Sequence, residues 1–87
     1  MSSLVELRRG AYHDSVSLMQ VSRAVGQSGG VQQALVAMAT ELNLELLRGM
    51  GFDPPEGAGP TDLVVAIRAD DDAALEQARK VCDDELA

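Results

Sequence analysis

The chain has 87 residues, a formal net charge of −7 and 46% hydrophobic residues, with one Phe, one Tyr and no Trp. That length allows one domain and one modest core, built here from Leu, Val, Ala and Met. The acidity is uneven, because residues 70–87 hold seven acids against Arg79 and Lys80. Without a basic stripe or stacking aromatics, the composition argues against nucleic acid as a partner. A single cysteine, Cys82, excludes an internal disulfide and fits a reducing compartment. No signal peptide and no run of about 20 apolar residues is visible, so the expected location is the cytoplasm, with no membrane contact.

Residues 3–9 predict a strand, with Val5 and Leu7 on one face and Glu6 and Arg8 on the other. Gly10 allows a tight exit, and Asp14 or Ser15 is placed to cap a helix over 15–27. Leu18, Val21 and Val25 form its apolar stripe, widened by Val16 and Met19. Ser28-Gly29-Gly30 ends it. Gly29-Gly30 follows a helix and lacks G-x-G-x-x-G spacing, so it reads as a turn, with no dinucleotide fingerprint.

Val31–Ala39 predicts a second strand, and Thr40 a cap for a second helix ending at Gly49 or Gly51. Leu42, Leu46 and Met50 make its stripe, with Leu44 and Leu47 beside it. The prolines and glycines of Asp53–Pro60 exclude regular structure. Leu63–Ala69 is the clearest strand. Its apolar run lacks alternation, as expected of a central strand. Asp70, Asp71 or Asp72 caps a final helix that buries Leu75, Ala78, Val81, Cys82 and Leu86.

The order β-α-β-α-β-α over a single domain, residues 1–87, predicts an α+β, ferredoxin-like two-layer sandwich. Its third strand inserts antiparallel between the first two. The alternative is a small parallel three-layer unit with right-handed crossovers. The antiparallel arrangement is preferred, since so short a chain cannot readily cover both faces of a parallel sheet. Three strands leave open edges, which invite pairing with another copy or another chain.

Gly10, Asp14–Met19, Met38-Ala39-Thr40 with Asn43 and Leu46-Leu47, Gly51-Phe52 and Pro60–Ala69 follow at spacings that resemble the N-terminal region of the FdrA proteins. These are acyl-CoA synthetase-like proteins related to the succinyl-CoA synthetase α subunit and associated with oxamate carbamoyltransferase activity. The resemblance covers nearly all of this chain but only the leading part of the family's proteins. It departs at Ala39-Thr40-Glu41 and Thr61-Asp62. It implies an accessory module of an enzyme system, docking on FdrA-like catalytic domains or forming a homodimer. CoA or nucleotide would bind only in downstream domains, so no cofactor is expected in this chain.

Chemistry-bearing residues are sparse. No nucleophile–base pair or phosphate loop is present, so no catalytic residue is assigned. His13 is the sole histidine and reads as an exposed turn residue. With Cys82 it cannot make the three or four ligands a metal site needs. Cys82 lies on an apolar helix face beside Asp83 and Asp84, which would raise its pKa, and it reads as inert. The acidic run Asp70–Asp72 reads as a cap with solvated neighbours. Met1, Met19, Met38 and Met50 read as core filler.

A weak ligand site is expected at the strand-to-helix turns. Arg9, Gly10, His13, Asp14 and Ser15 form its centre, and the free N–H groups of the first helix favour an anion there. Thr40, Asn43, Thr61 and Asp62 are its companions across the sheet edge. Two functions follow as expectations: a non-catalytic docking module, or a regulatory domain sensing a small anion or an amino acid.

Overall fold

The computed structural model describes all residues, Met1–Ala87. Strand β1 spans Ser2–Arg8, helix α1 Ser15–Gly26, strand β2 Val31–Met38, helix α2 Glu41–Gly49, strand β3 Leu63–Ala69 and helix α3 Asp72–Leu86. The elements expected from the pattern are all present, with ends shifted by a residue or two.

The sheet order is β1-β3-β2, and both pairings are antiparallel. Val5 faces Ala66 on one side of β3, and Leu35 faces the same Ala66 on the other. The fold is therefore the ferredoxin-like α+β arrangement, and the parallel alternative is excluded. The continuous apolar run of β3 has its reason here. Leu63, Val65 and Ile67 point to one face, Val64 and Ala66 to the other, and all five are buried.

The first face carries the main core. Leu18, Val21 and Val25 of α1 and Ala78 and Cys82 of α3 close over Val36, Leu63, Val65 and Ile67. The second face is capped by α2 and the segment after it, where Leu47 and Phe52 pack on Val64 and Ala66. Arg68 stacks over the Phe52 ring at 4.5 Å from its centroid, and its guanidinium donates to the carbonyl oxygen of Met50 at 3.0 Å.

Each helix starts on a side-chain cap. Asp14 accepts from the Ser17 N–H, Thr40 from Asn43 and Asp71 from Ala74. Of the acids offered for the last cap, Asp71 takes the role. Gly30 must be glycine twice over. Its φ of +81° suits no β-carbon, and one placed there would lie 2.7 Å from that of Ala74.

Two apolar assignments from the sequence need correction. In α2, Leu42 is 73% exposed and Leu46 is 49% exposed, while Leu47 and the partly buried Leu44 turn inward. The helix is short and covers the far face with one narrow stripe, so Leu42 and Leu46 fall on its outer side. In α1, Val16 and Met19 are exposed as well. Of the five apolar residues in that stripe only Leu18, Val21 and Val25 are buried against the sheet, and Met19, like Met1, is not core filler.

Candidate functional site

A groove of about 620 Å³ opens along the outer edge of β2. Leu35, Val36, Ala37 and Met38 form its floor. Leu18, Met19, Ser22 and Arg23 of α1 form one wall, Thr40 and Asn43 at the start of α2 close one end, and Tyr12, His13 and Ser15 stand at the mouth. Tyr12 at 70% and Met19 at 72% exposure set large apolar surface beside it. Arg23 makes no ion pair, whereas Arg8, Arg48 and Arg79 each meet a carboxylate.

The groove exists because α1 crosses over the sheet edge. Ser22 reaches down to β2, donating to the Val36 carbonyl at 2.9 Å and accepting from the Val36 N–H at 2.8 Å. At the other end Asn43 donates from its side-chain amide to the Met38 carbonyl at 2.8 Å, which also accepts from the Thr40 N–H. The edge of β2 is thus held by side chains at two points, and the space between α1 and α2 stays open above it.

The nine residues expected at a ligand site divide into separate places. His13, Ser15, Thr40 and Asn43 come together around the groove. His13 is half-buried there. Gly10 and Asp62 form a latch away from it: the Gly10 N–H donates to one Asp62 carboxylate oxygen at 2.9 Å and the Gly59 N–H to the other at 3.0 Å. These two N–H bonds hold the buried Asp62 carboxyl below its usual range, and the nearby Arg9 charge adds to the effect. Arg9 and Gly10 therefore face a carboxylate of the protein itself. Asp14 caps α1 with bonds from the Ser17 hydroxyl and N–H, which lower its pKa and occupy one of the helix donors. Thr61 is exposed beside the latch and makes no side-chain hydrogen bond.

Sequence reasoning passed over Tyr12, Met19, Ser22, Arg23 and the β2 floor. One signal was available. Ser22 sits four residues after Leu18 and three before Val25, a polar residue inside the inward stripe.

The architecture defines a small ferredoxin-like α+β domain with an open groove along the β2 edge of its sheet. A family model described as AllF, heavy metal-associated domain, and given for the protein's N-terminal part, matches residues 1–87. The chain belongs to that family. It is also similar to the uncharacterized protein YahF of Escherichia coli (strain K12), with 40% identity over 79 residues. That match takes in 88% of this chain and 15% of YahF, so the chain spans a small part of the relative's length. No solved structure matches.

These findings replace the FdrA resemblance drawn from the sequence. The residues that carried it are a glycine turn, two helix caps and the apolar central strand. In this structure each of them serves the fold, as a turn, a cap or a buried strand residue, and none marks a family-specific site.

The family's description implies a heavy metal, and the residues present do not fit one. Soft metals are held by thiolate and imidazole ligands. The chain has one Cys and one His, and no three His, Cys, Asp or Glu side chains gather as a metal set. Cys82 is fully buried in the core, and burial pushes its thiol up to about 11, with the Arg8 charge opposing only in part. A thiol so held supplies no thiolate near neutral pH.

Proposed function

We propose that this domain is a non-catalytic docking module that joins a larger polypeptide or assembly through the β2 groove. The observation that carries the reading is the open groove with Tyr12 and Met19 exposed at its rim. Large exposed apolar side chains beside a formed concavity mark binding surfaces in small domains. The occupant is a short apolar segment from the remaining chain of such a polypeptide. YahF, most of whose length lies outside the matched region, is the precedent. An acidic group on that segment would find Arg23, the groove's cationic wall. No helix of the structure is long and apolar enough to cross a membrane.

The test is an amide chemical-shift titration of the domain with the separately expressed remainder of the longer polypeptide. Shifts at Tyr12, Met19, Ser22 and Asn43 that disappear in Met19→Glu are expected. Shifts confined to other surfaces, or none, would sink the reading.

A second reading, a sensor of small carboxylates, is favoured by Arg23 standing without a carboxylate partner near His13. Titration with hexanoate checks it. Saturable shifts at Arg23 and Asn43, lost in Arg23→Gln, are expected, and a flat response removes this reading.

A further inference from the structure

Helix α2 turns one face to the sheet and leaves the opposite face without a partner. Leu44 and Leu47 point inward. Leu42, Glu45, Leu46 and Gly49 fall at i, i+3, i+4 and i+7, so they share the outer face. Both of its leucines are exposed, and Gly49 closes the stripe. A glycine within a helix weakens it relative to alanine, and nothing in this chain requires one at this position. The Gly49 backbone lies outside the left-handed region, and a β-carbon added to it would meet nothing within 4 Å.

The charges along α2 are ordered. Glu41 and Glu45 stand toward its start and Arg48 in its last turn. Arg48 pairs with Glu45 at 3.0 Å, while Glu41 makes no ion pair. Glu41 and Arg48 lie seven residues apart, on one flank of the Leu42–Gly49 face. Such a helix complements a reversed copy of itself. An antiparallel pair brings Arg48 of each helix near Glu41 of the other. Leu42 then lies over Gly49 of the partner, where the missing side chain lets the two backbones approach, and Leu46 sits close to the two-fold axis.

We propose that the chain dimerises with a second copy of itself, α2 against α2 and antiparallel, across the Leu42–Gly49 face. The contact is isologous, so each copy supplies both halves of it. The distribution of charge favours this side of the molecule. α2 covers one face of the sheet and α3 the other. The dimer therefore keeps the two segments 70–87, each with seven acids and two bases, on its outer sides. An approach through α3 would set them against each other. None of Leu42, Glu45, Leu46 and Gly49 lines the β2 groove, and the proposal stands apart from the groove reading. A helix of nine residues offers a small contact, at the weak end of specific pairings, so the dimer forms at raised concentration.

Sedimentation equilibrium from about 10 μM to about 1 mM tests this. The mass should climb from that of one chain toward that of two. Leu46→Glu buries a charge in the contact and should raise the dissociation constant at least about tenfold. Should Leu46→Glu fail to fold by circular dichroism, Leu42→Glu carries the same comparison. Met19→Glu, at the groove rim, should dimerise as the unaltered chain does. The orientation is read by exchanging charge. Arg48→Glu alone and Glu41→Lys alone each set like charges across the axis and should dimerise more weakly. Their equimolar mixture should dimerise more strongly than either alone, because a mixed pair restores opposite charges at both contacts. A single-chain mass at every concentration overturns the proposal, and so does a dimer that Leu46→Glu leaves intact and Met19→Glu removes. A mixture no stronger than its two components overturns it as well.

Discussion

The hydroxyl of Ser22 holds both backbone groups of Val36, accepting from its N–H at 2.8 Å and donating to its C=O at 2.9 Å. One side chain on a helix thereby stands in for a neighbouring strand. A half-buried edge that would otherwise be unsatisfied becomes part of the groove floor.

Ser22→Ala should leave both Val36 groups without partners. An unsatisfied buried pair of this kind costs about 1–3 kcal/mol, a large part of the stability of a domain this small. Urea denaturation measures the loss. The variant should also self-associate more readily by light scattering, because β2 becomes a free edge.

Asp62→Asn should destabilise the domain at neutral pH and flatten its acid response. The folded-state pKa of Asp62 is depressed by the Gly10 and Gly59 N–H groups. Its contribution is therefore fully present above the unfolded carboxyl value and is lost as pH falls through the lower folded value. Denaturation midpoints for the wild type and Asp62→Asn should diverge at pH 7 and approach each other near pH 3.

Leu47→Ala should cost about 2–5 kcal/mol, the range for truncating a fully buried leucine, because Leu47 is the anchor of α2 on Val64 and Ala66. Leu42→Ala, on the exposed side of the same helix, should change stability by no more than about 0.5 kcal/mol. A thermal melt of the two variants together decides whether α2 covers the far face through this one stripe.

Cys82 should resist alkylation by iodoacetamide at pH 8 in the folded chain and react at once in denaturant, given full burial and a thiol pushed up to about 11. Titration with zinc or cadmium should leave that reactivity and the thermal midpoint unchanged. A metal-dependent rise in midpoint that is lost in Cys82→Ser would show that the donor set reaches a soft metal after all.

Much of the fold was legible in the sequence. Each helix cap was written as Asp or Thr before an apolar period, and β3 declared its central place by an unbroken apolar run. The faces of the helices were less legible. Leu42 and Leu46 repeat at helical spacing as well as Leu44 and Leu47 do, and only the position of α2 against the sheet decides which of them are buried. The site was half visible. His13, Ser15, Thr40 and Asn43 lie around the groove, but Asp62 binds backbone 52 residues away. Its carboxylate gave no local sign of being a latch, because the contact is set by how the loop before β3 returns to the turn after β1.

The central strand is the last of the three to be made. β1 and β2 pair with β3 and not with each other, so a chain growing from its N-terminus has no sheet at all until residues 63–69 arrive. Up to that point α1 and α2 have only two unpaired strands to cover, and their apolar stripes lie open to water or to a chaperone. Sheet formation then happens at both sides of β3 together, as a single late step dominated by long-range contacts. A nascent chain halted in the Pro- and Gly-rich segment before β3 should therefore behave as an unfolded one, however many of its helices have begun to form.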